Sequence, residues 1–293
     1  MSRVPVTVVS ILILTLLSCA GTDDAPMNPY LGQSPPGMTP EVFAPGLVSS
    51  DEHEFAPSFS PDGREFYFSR GVGQYRIKSV MVTREKDGSW SEPVKALPYA
   101  DEHFEARVHP DGQRIFFMGF HVVPDKERPD LDMFFAERTA DGWGEATHLG
   151  PPFNPGGAMY ISFTDDGTLY TSGVAHRGIA MSRFEDGEFS DYEPLGPPVD
   201  TDDAQQVYPF IAPDGSYLIF SEMGGTRGGQ SSLLVTFREE DGSWTEPREI
   251  PLGMRGGTAS VSPDGKYLFF TADRPGDIYW VDAGIFLNLR PGN

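Results

Sequence analysis

Five times along the chain an apolar run enters a turn of the Pro-Asp-Gly kind and a second apolar run leaves it. The segments are FAPSFSPDGREFYFS (55–69), EARVHPDGQRIFFMG (105–119), YISFTDDGTLYTSG (160–173), VYPFIAPDGSYLIFS (207–221) and TASVSPDGKYLFFTA (258–272). Their aspartates, Asp62, Asp111, Asp166, Asp214 and Asp264, stand 49, 55, 48 and 50 residues apart. In such a turn Pro presets φ near −65°, Asp can accept from its own downstream backbone, and Gly takes the positive φ that closes a hairpin. The second run of each pair is almost continuously apolar, as in Phe66-Tyr67-Phe68 and Tyr217-Leu218-Ile219-Phe220. A strand apolar on both faces has to be covered on both.

A second turn recurs half a period later, at Asp87-Gly88-Ser89-Trp90, Asp141-Gly142-Trp143, Asp186-Gly187-Glu188-Phe189 and Asp241-Gly242-Ser243-Trp244. It separates a third strand from a fourth that often opens Glu-Pro, where proline suits a sheet edge. Four short strands every fifty residues is the size of one propeller blade. The fifth repeat has a third strand, Asp277 to Asp282, but no Asp-Gly-aromatic turn after it. The missing strand stands at the other end, where Glu41-Val42-Phe43-Ala44-Pro45 leads to Asp51-Glu52-His53 just as Glu92-Pro93-Val94-Lys95-Ala96 leads to Asp101-Glu102-His103. The expected fold is therefore all-β, a five-bladed β-propeller closed by an N-terminal strand that completes the last blade. The apolar tail, with Ile285, Phe286, Leu287 and Leu289, is expected to pack on its outside.

Composition agrees with many strands and tight turns, since 33 Gly and 27 Pro accompany 21 Phe and 11 Tyr. The N-terminus is a separate device. Arg3 precedes an apolar stretch, Val4 to Leu17, too short to span a bilayer, and Leu16-Leu17-Ser18-Cys19 follows. This end resembles the bacterial lipobox, and Cys19, the lone cysteine, would carry the lipid. The expected organisation is a signal peptide over 1–18, a Pro- and Gly-rich flexible tether over 19–38, and one propeller domain over 39–293. Ala20 after the cysteine resembles the outer-membrane sorting signal. The net charge of −21 repels polyanions, which argues against a nucleic-acid partner and confines membrane contact to the lipid.

The S-P-D-G turns at 60–63 and 262–265, their variants HPDG (109–112) and APDG (212–215), and Asp277-Ile278-Tyr279-Trp280 resemble the WD40-like propeller repeat of the TolB kind. The resemblance covers roughly residues 40 to 282. Asp165 replaces the proline in repeat three, where a looser turn is expected. That family includes scaffolds, ligand binders and domains attached to peptidases, so the resemblance implies a fold and an extracytoplasmic setting rather than one activity.

Strand order puts both Asp-Gly turns on one face and the variable links on the other, where binding residues are expected. Aligned on the turn aspartates, Glu54, His103 and Gln206 stand eight residues before, and Glu105, Tyr160 and Tyr208 six before. These six are the candidate channel-mouth residues for a protein, peptide or glycan ligand. No cofactor is expected, although carboxylate and imidazole in Asp51-Glu52-His53 and Asp101-Glu102-His103 leave a divalent metal open. The alternative is a carbohydrate-active hydrolase using central carboxylates, for which Glu54 and Glu105 are the candidates. No Gly-x-Ser-x-Gly elbow, His-Glu-x-x-His motif or phosphate loop occurs.

Overall fold

The computed structural model describes residues 29–292, apart from 74–76, 100–101, 122–129, 155–157, 174–177, 186–187, 225–229 and 273–275. The signal-peptide, lipid-attachment and Asp186-Gly187 readings lie outside the described residues. Five small antiparallel sheets follow one another along the chain. Blade one is His53–Phe59, Glu65–Val72, Ile77–Lys86 and Val94–Lys95; blade two is His103–Val108, Arg114–His121, Asp130–Thr139 and Thr147–His148. Blade three is Ala158–Phe163, Leu169–Gly173, Ile179–Ser182 and Glu193–Pro194; blade four is Ala204–Ile211, Tyr217–Gly224, Gln230–Phe237 and Arg248–Glu249. Blade five takes Gly256–Val261, Tyr267–Ala272 and Ile278–Asp282 from the end of the chain and Glu41–Val42 from its start. Glu41 pairs with Trp280 and Val42 with Tyr279, and Phe43 donates its N–H to the Ile278 carbonyl at 2.8 Å. The molecule is thus a five-bladed β-propeller closed by its N-terminal strand.

The turns work as their composition requires. Asp62, Asp111, Asp166, Asp214 and Asp264 each accept, through Oδ1, the backbone N–H two residues on, at 2.8–3.2 Å. The following glycines all have φ between 69° and 85°, a left-handed conformation open to glycine at little steric cost. Blade three is not looser, contrary to expectation. Gly167 N–H reaches the Thr164 carbonyl at 2.9 Å as its counterparts do, and Asp165, unlike proline, keeps an N–H that it donates to Pro213 of the next blade at 2.7 Å.

The core is divided into five clusters, one per pair of neighbouring blades. This is why the second strands are apolar on both faces. Four of the clusters include an aromatic residue from the outer Asp-Gly turn: Trp90 between blades five and one, Trp143 between one and two, Phe189 between two and three, Trp244 between three and four. Blade five has no such turn. Its place is taken by the tail, where the short helix Gly284–Leu287 buries Phe286 between blades four and five, 5.0 Å from the Tyr217 ring.

The chain before the closing strand is also bound. Tyr30 is buried against Tyr267, Trp280 and Phe59, and its hydroxyl donates to Asp264 at 2.6 Å. Gln33 bonds the backbone of Val42 and Ala44. The stretch expected as tether through residue 38 is therefore part of the propeller from Tyr30 onward, because an aromatic ring among its small polar residues found an interblade groove to fill.

Candidate functional site

The innermost strands converge on the axis, and each carries a β-bulge at the same place. The residue six before each turn aspartate, Ala56, Glu105, Tyr160, Tyr208 or Thr258, has φ between 44° and 60°. A side chain held in this left-handed region strains the backbone by about 1–3 kcal/mol, and a bulge re-aims the side chain it carries. The five residues meet in a ring. Ala56 N–H donates to Thr258 Oγ1 at 3.3 Å, the Tyr160 N–H donates to the Glu105 carboxylate, and the Tyr160 and Tyr208 rings lie 5.8 Å apart, edge to face.

Each bulge leaves an N–H outside the strand ladder, and in blades one to four the neighbouring blade takes it up. Thr271 Oγ1 accepts from Ala56 at 3.1 Å, Ser69 Oγ from Glu105 at 2.8 Å and Ser172 Oγ from Tyr208 at 3.2 Å. These hydroxyls sit six or seven residues after the turn aspartate of the preceding blade. Blade two has Met118 there instead, and the Glu105 carboxylate serves the Tyr160 N–H in its place.

Tyr160 crosses the axis. Its hydroxyl donates to the Ala259 carbonyl of blade five at 2.8 Å and accepts from Arg107 Nη2 at 2.9 Å. Burial pushes its phenol up to about 12, so it stays neutral and can make both bonds at any physiological pH. Tyr160 and Arg107 plug the channel and leave two mouths, one lined by the strand ends of the variable face and the other by the Pro-Asp-Gly turns.

The variable-face mouth is a cavity of about 350 Å³ lined by Phe55, Lys78, Phe104, Glu105, Tyr208 and Met223, with Thr258 and His53 beside them. Lys78 Nζ rests 5.1 Å from the centre of the Phe104 ring, a cation–π contact. Glu105 is 8% exposed. Burial pushes its carboxyl up to about 7, against the opposing pull of the Tyr160 N–H and the Lys78 charge. It is the one carboxylate among the described lining residues. Met223, 47% exposed, lines the mouth, and Phe120, 40% exposed, lies beside it with its ring 6.0 Å from that of Phe104.

Of the sequence-derived candidates, Glu105 and Tyr208 line this mouth, and Tyr160 is buried behind them against the Tyr208 ring. Glu54, His103 and Gln206 do not line it. Glu54 is fully buried with Oε1 on Arg70 Nε at 2.7 Å and both oxygens bonded to Ser50. His103 is buried between the Tyr99 and Phe117 rings. Gln206 donates to Glu222 and Thr201, both at 3.0 Å. In a regular strand, positions eight and six before the turn would share a side. The bulge between them swings only the second toward the axis. Lys78 and Met223 come from other strands and no repeat signal marks them, whereas His53, of the repeated Asp51-Glu52-His53 triplet, enters from the innermost strand of blade one; the Ser/Thr position after the turn is legible in the repeat. Among the described residues no group of three or more His, Cys, Asp or Glu gathers where a metal could bind. His53 lines the mouth while Asp51 and Glu52 are exposed, and Asp101 lies outside the described residues.

No protein-family model and no curated protein matches the sequence. Among solved structures, TolB from Acinetobacter baumannii aligns with 80% of this chain at TM-score 0.50 and 12% identity; the chain spans 55% of TolB's length. Arabinanase Arb43A from Bacillus subtilis aligns with 80% of this chain and 96% of its own, at TM-score 0.50 and 11% identity. A gluconolactonase from Xanthomonas campestris gives 84% and 93%, at TM-score 0.46 and 15% identity. At such identities the likeness is one of fold, shared by proteins of different activity. What the chain has in common with TolB-type structures is the β-propeller itself, here with five blades.

Proposed function

We propose that the protein is a lipid-anchored, extracytoplasmic member of the TolB-type S-P-D-G propeller group, attached at the outer membrane through Cys19. In this reading it binds a protein or peptide across the face opposite the Asp-Gly turns. The observation that carries the reading is the exposed apolar pair Met223 and Phe120 at a mouth containing Lys78, Glu105 and Tyr208. Exposed apolar side chains beside a few convergent polar groups are the makeup of an interaction site. A partner's apolar side chain would enter between Phe55 and Phe104 while its backbone amides meet Tyr208 and Glu105.

Glycan hydrolysis needs two carboxyl groups placed about 5–10 Å apart across the scissile bond. Glu105 has the raised pKa of a general acid, but its sequence-derived partner Glu54 is committed to Arg70 and Ser50. The reading is tested with the mature protein in a thermal-shift screen against peptide and oligosaccharide panels, since a ligand of the native state raises the melting temperature. A peptide hit lost in Met223→Asp and Phe120→Asp, both surface changes that leave the unliganded melting temperature near wild type, is the expected result. Polysaccharide turnover abolished by Glu105→Gln would replace it with the hydrolase reading.

A further inference from the structure

The opposite mouth of the channel contains a cation without a counter-ion. Arg107 of blade two is 9% exposed. Its Nη2 donates to the Tyr160 hydroxyl at 2.9 Å and its Nε to the Ile161 carbonyl at 3.3 Å. The guanidinium lies between the Tyr160 and Phe210 rings, 5.5 and 5.6 Å from their centres. Among the described residues no carboxylate pairs with it, although the chain carries 43 acidic residues. Most half-buried arginines are matched: Arg64 to Glu85, Arg70 to Glu54, Arg84 and Arg138 to Glu65, and Arg114 to Asp111. A buried charge without a partner is strongly unfavourable, and neutral hydrogen bonds with two aromatic faces offset only part of that.

Arg107 forms one wall of a cavity of about 270 Å³ that opens through the Asp-Gly turns. Pro61, Pro110, Pro213 and Pro263, one from each of four blades, form its collar, with Asp165 completing the ring in blade three. Deeper in, Val108, Phe163, Phe210 and Val261 make apolar walls, and Ser162 accepts from the Ile211 N–H. The repeat that builds the fold has thus made a small, five-sided well of mixed apolar and polar lining with a guanidinium in its wall.

We infer that this well is a second binding site, in which Arg107 receives the carboxylate of a monoanionic ligand with an apolar body. The guanidinium fork matches a carboxylate and is strongest where water is excluded. The apolar walls and proline collar suit an alkyl or aryl group behind that carboxylate. A multiply charged phosphate is disfavoured by the exposed Asp165 at the rim and by the field of a chain with net charge −21. The site is independent of the variable-face mouth, from which Tyr160 separates it.

The test uses the full mature protein with arginine labelled in nitrogen-15, following the side-chain Nε–Hε signals while benzoate, acetate and inorganic phosphate are titrated. The expected result is one saturable Nε–Hε shift, assigned through its absence in Arg107→Lys, with half-saturation by benzoate at or below about 1 mM. Acetate binds at least about tenfold more weakly, because it lacks the apolar body, and phosphate binds weakest. Arg107→Lys lowers benzoate affinity at least about tenfold by losing the bidentate fork, read by titration calorimetry because that variant has no Arg107 signal. The wild-type titration decides even if the Arg107 variants do not fold. No saturable shift up to about 20 mM benzoate, well above that half-saturation, or phosphate binding tighter than benzoate, overturns the assignment.

Discussion

Glu105 combines two demands at the residue scale. Its carboxylate occupies the place that a hydroxyl holds in three other blades, and burial sets its pKa near 7. A group whose folded pKa is raised contributes stability below its unfolded pKa, near 4.5 here. That contribution is lost as pH rises through the folded value. Glu105→Gln keeps an acceptor for the Tyr160 N–H without the buried charge. It should therefore stabilise the protein at pH 8 by on the order of 3 kcal/mol, with no gain at pH 4.5, measured by urea unfolding at both pH values. An equal change at both would remove the titration from the explanation.

Glu65 runs the other way. It is 9% exposed, accepts from Arg84 at 2.9 Å, Arg138 at 2.7 Å and Tyr67 at 2.8 Å, and its pKa is lowered by these donors acting against burial. Its contribution is present above the unfolded pKa and fades as pH falls below about 4.5 toward its lowered folded value. Glu65→Ala, which strands Arg138 of the next blade, should cost about 3–5 kcal/mol at pH 7 and much less at pH 3. Coincident acid-unfolding curves for variant and wild type would contradict this.

At the scale of elements, the repeat explains why the tail folds back. Four interblade cores are sealed by an aromatic from the outer turn, and the fifth is sealed by Phe286 because blade five ends without that turn. Phe286→Ala removes a fully buried ring and should destabilise by about 3–5 kcal/mol. Arg290, whose guanidinium stands 4.9 Å from the Phe237 ring centre, is partly exposed, so Arg290→Ala should cost about 1 kcal/mol or less. Similar losses from the two, in chemical denaturation, would mean the helix is held by its end rather than by its plug.

For the whole molecule, closure is the decisive feature. The edge of Ile278–Asp282 is covered only if Glu41–Val42 completes blade five, and Phe43 and Tyr30 pack around that seam. Removing residues 29–43 should expose the edge of Ile278–Asp282, lower the unfolding midpoint and produce concentration-dependent association by light scattering. A monomeric truncated protein with an unchanged midpoint would show that the seam is dispensable.

Blade number, turn chemistry and ring closure were all legible in the amino-acid order, because a fifty-residue period, Asp-Gly turns and the displaced strand are local patterns repeated five times. The ring positions Glu105, Tyr160 and Tyr208 were also legible, since alignment on the turns finds the innermost strand. What alignment could not supply is the direction of each side chain. Glu54, His103 and Gln206 share that strand, yet the bulge after them breaks the two-residue alternation and leaves them inside the blades. Lys78 reaches the mouth from a third strand, Phe286 replaces a turn from another part of the sequence, and Arg107 has no carboxylate partner among the described residues of the blades around it. Local sequence sets strands and turns through backbone preference and periodicity; which side chains meet across blades depends on contacts between segments tens to hundreds of residues apart, and only the closed ring brings them together.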